Sequence, residues 1–211
     1  SQPLFSEPQV SSKLAETLHY ATSLGMSQLA LCLTDSVTQA CDALGPDHPD
    51  TLTARDHLAD TYWEAGRLDE AITLKEQILA DAMRIMGPNS PDTLTARNQL
   101  AGAYRDAGRL DEAVNMLKQN LDDVARTLGL DHPDTLTARN RLAVAYRDAG
   151  RLNEAIRLFE QNLTDVARTL GLDHPETLAS RHSLAGAYQA AGRLDEAIPL
   201  YEQNLADFIR I

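Results

Sequence analysis

Three histidines, His48, His132 and His174, each precede a Pro-Asp or Pro-Glu step. Imidazole beside carboxylate is the chemistry of a zinc site or of a general acid–base pair. The spacing argues against both. His132 and His174 lie 42 residues apart, and His48 lies two such steps before His132. Zinc holds its ligands at ~2.0–2.1 Å. Helix pairs one step apart are separated by ~10 Å, so no two of these histidines can share an ion. Adjacent acidic residues recur in the same way, at Asp69-Glu70, Asp111-Glu112 and Asp195-Glu196, with Asn153-Glu154 in the remaining register. Recurrence at one register fits a helix start, where acidic groups complement the dipole, better than a catalytic carboxylate pair. There is no phosphate-binding glycine loop, dinucleotide fingerprint, His-Glu-x-x-His or Gly-x-Ser-x-Gly in the chain. The sequence therefore predicts no catalytic residues, no metal ligands and no cofactor.

Cys32 and Cys41 are nine residues apart in one predicted helix. At ~1.5 Å rise per residue they lie more than ~13 Å apart, beyond the reach of a disulfide. Two reduced thiols fit a cytoplasmic protein.

The elements that position all these residues repeat. Gly45, Gly87, Gly129 and Gly171 are spaced by 42, as are Pro49, Pro91, Pro133 and Pro175, and Tyr62, Tyr104, Tyr146 and Tyr188. Ala-Gly-Arg-Leu recurs at 65–68, 107–110, 149–152 and 191–194. A period of this length marks a solenoid whose units bury their faces on one another. Four units span 45–86, 87–128, 129–170 and 171–211. Each reads as a helix A near 50–65 and a helix B near 69–86 in the first unit's numbering. Ser90, and less usually His48, His132 and His174, stand as N-caps before proline. Gly66 and its equivalents end helix A, and Gly87 and its equivalents end helix B. Pro199 falls in the first turn of its helix B, where proline is less harmful. Residues 10–44 read as a degenerate repeat or cap, with Ser27 capping a helix that ends at Leu44, and residues 1–9 as a tail.

The unit resembles the tetratricopeptide repeat in a 42-residue form. The resemblance rests on Ala59, Ala101, Ala143 and Ala185, the tyrosine three residues after each, and Ala71, Ala113, Ala155 and Ala197 early in helix B. The Leu-Gly-x-Asp-His-Pro-Asp-Thr-Leu start is similar to kinesin light chain repeats, and to repeats carried by bacterial signalling ATPases of the NB-ARC type. The resemblance implies an all-α, right-handed superhelical solenoid whose A helices line a concave, partner-binding groove. With Leu58, Ala59 and Tyr62 buried, the neighbouring stripe runs through positions 56, 60 and 63. It reads Asp56, Asp60, Trp63; Asn98, Gly102, Arg105; Asn140, Val144, Arg147; and His182, Gly186, Gln189. Asparagine amides can hold a peptide backbone as donor and acceptor together. Arginine can grip a carboxylate or phosphate with two bonds. Asp56, Trp63, Asn98, Arg105, Asn140, Arg147, His182 and Gln189 are thus the candidate peptide-binding residues, with an acidic segment favoured. Asp106 and Asp148, which follow the arginines, are positioned to neutralise them. Asn120, Asn162 and Asn204, in the middle of helix B, are expected to be buried and bonded to a neighbouring helix.

Charge bounds the partners. The net charge is −12, from 19 basic and 31 acidic residues, which disfavours nucleic acid and anionic membranes. No apolar run is long enough to span a bilayer. The expected function is a non-catalytic interaction module binding a peptide or partner helix, as the sensor or scaffold region of a larger bacterial signalling protein. A cargo adaptor like kinesin light chain and a module assembling end to end through its terminal repeats are the alternatives.

Overall fold

A computed structural model describes residues 27–45 and 48–210 together with Lys13, Thr17 and Tyr20. The expectations for residues 1–9 and for most of 10–26 lie outside the described residues. The chain divides into two compact bodies, residues 1–107 and 108–211. The first holds helices α1 (Ser27–Leu44), α2 (Pro49–Glu64), α3 (Leu68–Met86) and α4 (Pro91–Asp106). The second holds α5 (Leu110–Leu128), α6 (Pro133–Asp148), α7 (Leu152–Leu170), α8 (Pro175–Ala190) and α9 (Leu194–Arg210). The described residues contain no strand. Within each body every helix packs on the next in sequence, and α6 also touches α8. The fold is an all-α solenoid of helix-turn-helix repeats, and its helix bounds follow the 42-residue punctuation to within a residue or two.

Local chemistry explains those bounds. Helix A begins at proline, whose fixed φ and missing N–H suit the first helical position. Ser90 Oγ accepts the Thr93 amide at 3.1 Å. His132 Nδ1 accepts the Asp134 amide, and His174 Nδ1 the Glu176 amide, each at 3.2 Å. These histidines are helix caps. The next recurrent residue of the motif had no role assigned from sequence: Thr51, Thr93, Thr135 and Thr177 are fully buried. Each hydroxyl donates to the carbonyl of the glycine six residues earlier, at 2.6–2.8 Å. That bond ties each inter-repeat loop to the helix it introduces.

Helix A stops at a Schellman motif. The Gly150 amide bonds the Arg147 carbonyl at 2.9 Å, and the Arg151 amide bonds the Tyr146 carbonyl at 2.8 Å. The motif needs a left-handed residue, and Gly150 has φ +72°. The arginine that follows does two things. Its guanidinium lies over the tyrosine ring at 4.4–4.5 Å, as Arg67 on Tyr62, Arg151 on Tyr146 and Arg193 on Tyr188. It also donates to the glutamate three residues on, as Arg67 to Glu70, Arg109 to Glu112, Arg151 to Glu154 and Arg193 to Glu196. The recurrent acidic pair therefore serves an arginine clamp on the turn. The arginine bond holds the carboxyls of Glu70, Glu112 and Glu154 below the usual range.

Small residues set the core. Ala59, Ala71, Ala113, Ala143, Ala155 and Ala185 have no exposed surface, so paired helices approach closely there. In the second body Phe159 anchors a cluster with Ile156, Leu184, Ala187 and Tyr188. Met86, the last residue of its helix, is 37 % exposed. Pro199 is the sixth residue of α9 rather than part of its first turn, so the helix lacks the N–H that would meet the Asp195 carbonyl.

Candidate functional site

The candidate residues lie on four A helices. Asp56 and Trp63 belong to α2 and Asn98 and Arg105 to α4, in the first body. Asn140 and Arg147 belong to α6 and His182 and Gln189 to α8, in the second. Helix period places each triplet on one stripe. None of the eight is fully buried: Arg105, His182 and Gln189 are exposed and the other five half-buried. Trp63 is one of the half-buried residues.

What each stripe can do depends on a helix B residue 19 positions after the triplet's first member. In the first repeat that residue is Lys75, buried at 8 % exposure. Its ammonium donates to Asp56 at 3.2 Å and to Asp60 at 3.1 Å. Asp56 also accepts from Gln99 of α4 at 3.4 Å. Both carboxylates are thus engaged inside the protein, and Asp56 is a structural ion-pair partner in this chain.

In the fourth repeat the residue is Tyr201. Its hydroxyl donates to Gln189 Oε1 at 3.0 Å, and its ring meets the edge of His182 at 5.4 Å between centroids. A side chain at Gly186 would meet the Tyr201 hydroxyl at 3.7 Å. The polar ends of this stripe are likewise satisfied internally.

Repeats two and three carry Leu117 and Phe159 at this position, 7 % and 1 % exposed. An apolar residue there cannot reach out to the stripe as Lys75 and Tyr201 do. Val144 packs against the Phe159 cluster. The Asn140 Oδ1 atom is buried and makes no hydrogen bond. Gly102 stands between Asn98 and Arg105, and a side chain added there would meet nothing within 4 Å. Neighbouring packing therefore does not require this glycine.

The two arginines are ion-paired as their sequence neighbours allow. Arg105 binds Asp106 at 3.1 Å and Arg147 binds Asp148 at 3.0 Å. Both pairs are at least a quarter exposed, so each is weak and screened by salt. Arg147 uses its Nε and one terminal nitrogen on Asp148, and a guanidinium carries five N–H donors.

Three polar features of the repeats escaped sequence reasoning. Lys75 and Tyr201 are visible as breaks in an otherwise apolar register. The third is a buried arginine on helix A. Arg55 bonds Asp81 at 2.9 Å, and Arg139 bonds Asp165 and Arg181 bonds Asp207 at 2.6 Å. The constant 26-residue separation of the partners was the available signal.

Among the described residues no cluster of three or more His, Cys, Asp or Glu is arranged to hold a metal ion. Cys41 is buried and unbridged, and burial pushes its thiol above the ordinary range. No helix among the described residues is long and apolar enough to cross a membrane.

The sequence matches the tetratricopeptide repeat family model in four overlapping windows, 14–83, 58–123, 92–164 and 134–208. No curated protein matches it. Among solved structures, nearly identical TPR-like repeats from Podosopora anserina, assigned to a kinesin light chain, superpose with a TM-score of 0.82. They share 35 % identity over 98 % of this chain and 97 % of that one. BtubC (BKLC) from P. vanneervenii gives a TM-score of 0.73 at 19 % identity, over 97 % of this chain and 83 % of that one. MamA AMB-1 gives 0.59 at 23 % identity, over 94 % and 99 %. The last two likenesses concern the fold.

Proposed function

Because the chain belongs to the tetratricopeptide repeat family, we propose that it is a non-catalytic protein-interaction module that binds an extended peptide or a partner helix along its A helices. In the first body its binding residues are those of the second repeat, and in the second body those of the third. The observation that carries this reading is Gly102. A glycine inside an exposed helix costs about 1 kcal/mol relative to alanine, and here no neighbouring atom occupies the place of its side chain. Between an amide and a guanidinium, that space lets a backbone from outside approach the helix closely. Asn98 in the first body and Asn140 in the second then stand as amide donors to peptide carbonyls, the Oδ1 acceptor of Asn140 being buried. Arg105 and Arg147 stand as the guanidinium partners of acidic side chains. The first and fourth repeats, whose stripes are engaged by Lys75 and Tyr201, contribute flanking surface through Trp63 and His182.

The test fills the space. Displayed peptides selected on the wild-type protein are counter-screened on Gly102→Leu, which gains helix propensity and keeps the fold. Selected peptides should bind the variant at least about tenfold more weakly, a difference of ~1.4 kcal/mol. Unchanged binding, with the circular dichroism of the variant unaltered, overturns the assignment of this stripe.

The partner class follows the similarity only in outline. The 35 % identity with repeats assigned to a kinesin light chain favours a cargo-adaptor role. The resemblance of the repeat start to those of bacterial signalling ATPases supports a sensor or scaffold region within a cytoplasmic signalling protein. Either role uses the same stripe.

A further inference from the structure

One side chain engages the whole stripe of the fourth repeat. His182, Gly186 and Gln189 lie on α8, and Tyr201 of α9 reaches all three. Its ring meets the edge of His182. Its hydroxyl donates to Gln189 Oε1, and stands 3.7 Å from the place that a side chain at Gly186 would take. In the second repeat the corresponding space over Gly102 is open. The bond to Gln189 is also the one that a peptide N–H would donate to this amide. Tyr201 therefore stands where a peptide would.

The third repeat, in the same body, shows the alternative. It carries Phe159 at this register, 1 % exposed and clustered with Leu184 and Tyr188 of α8. Phenylalanine has no polar atom to offer a stripe. Val144 of the third stripe and Tyr201 pack against this one cluster, and α6 touches α8 directly. Packed helices lie ~10 Å apart, a distance that an extended peptide spans in about three residues at ~3.3 Å each. A peptide lying on α6 thus meets Tyr201 within a few residues. Such closure does not depend on α9 being the last helix. Lys75 engages Asp56 and Asp60 from the same register, with α4 packed on its own helix, α3.

We propose that Tyr201 is a specificity-determining residue. It occupies the fourth stripe in place of a ligand and ends the peptide-binding surface of the second body at the third repeat, leaving His182 as flanking surface only. The proposal rests on the A-helix stripe as the binding surface and adds the residue that limits its length. Leucine stands at this register in the second repeat, as Leu117. Tyr201→Leu should therefore release His182, Gly186 and Gln189 as a further peptide register. Gln189 carries no charge where Arg147 carries one, so the added register takes a polar, uncharged segment.

The test is a subtractive selection on the 211-residue chain. A displayed random-peptide library is depleted on the wild type and then selected on Tyr201→Leu, with circular dichroism as the check on folding. Peptides should enrich, and should bind Tyr201→Leu at least about tenfold more tightly than the wild type. Adding His182→Ala and Gln189→Ala to Tyr201→Leu should remove that gain. Should Tyr201→Leu lose helix content, Tyr201→Phe, which keeps the ring and loses only the hydroxyl, takes its place with the same outcomes. No enrichment on the folded variant overturns the proposal. So do enriched peptides that are indifferent to His182 and Gln189, which would mean that the substitution created a different site. Gly102→Leu, tried against peptides selected on the wild type, scores the second-repeat stripe separately. Indifference to Gly102→Leu together with enrichment on Tyr201→Leu overturns the earlier assignment alone.

Discussion

The guanidinium of Arg139, only 3 % exposed, donates to the carboxylate of Asp165 at 2.6 Å, joining helix A to helix B of the third repeat. Removing one member of such a pair leaves the other charge buried. Asp165 is 18 % exposed and Arg139 is not, so the two deletions are unequal. Asp165→Ala should destabilise the protein by about 3 kcal/mol, at the low end for breaking a buried pair. Arg139→Met, which returns Asp165 to solvent contact and keeps the packing, should cost about 1 kcal/mol. Urea unfolding of both variants tests the order. Equal losses would mean that the arginine is not the costly partner.

Tyr188 gives a pH-dependent signature. Burial, followed by the hydrogen bond to Glu160, raises its phenol to about 12. The folded state therefore keeps the proton above the ordinary tyrosine value of about 10. The associated stability is complete below about pH 10 and is lost as pH rises through about 12. Tyrosinate absorbance should show a late-titrating component that Tyr188→Phe removes. A Tyr188→Phe titration curve that only scales with the lower tyrosine count would contradict this.

The asparagines of helix B are not equivalent. Asn204 donates to the Leu178 carbonyl at 2.9 Å and accepts from Arg181 at 3.0 Å. Asn162 is 2 % exposed, makes one long bond to Ser180 at 3.5 Å, and has a bare Oδ1. An unsatisfied buried acceptor costs ~1–3 kcal/mol, which offsets much of what Asn162 contributes. Asn204→Ala should cost about 1 kcal/mol more than Asn162→Ala, measured by chemical denaturation. The reverse order would show that burial outweighs bonding here.

Pro199 interrupts the α9 hydrogen-bond ladder in its second turn. The equivalent residue of the third repeat is Arg157, on the same exposed side of its helix. Pro199→Arg should stabilise the last repeat by about 1–3 kcal/mol, seen as slower amide exchange in α9. Faster exchange would mean that proline's rigidity matters more than the missing bond.

The neutralised arginines make a prediction about charge. Asp106→Asn and Asp148→Asn together free Arg105 and Arg147 from their neighbours. An acidic peptide that binds the A-helix stripe should then bind several-fold better at low salt, with the gain shrinking as salt rises. No gain, by titration calorimetry, would separate these arginines from the binding surface.

Element bounds were legible in the sequence because proline, glycine and cap residues act through backbone chemistry a few residues long. Pro133 opens α6 and Gly150 closes its turn whatever the rest of the chain does. Repetition then made the register of Leu142, Ala143 and their equivalents readable, since one pattern recurs four times. The stripe through positions 56, 60 and 63 was legible as a face, but not as a function. Asp56 and Asn98 occupy the same register and differ by one functional group. Lys75, which reaches Asp56 only once α3 folds back on α2, made the first a salt-bridge partner. Tyr201 did the same to Gln189 through α9 and α8. Local propensity gives helices and turns by itself. Whether a polar side chain is open to a partner or already satisfied depends on a side chain from another helix, and only tertiary packing brings the two within hydrogen-bond distance.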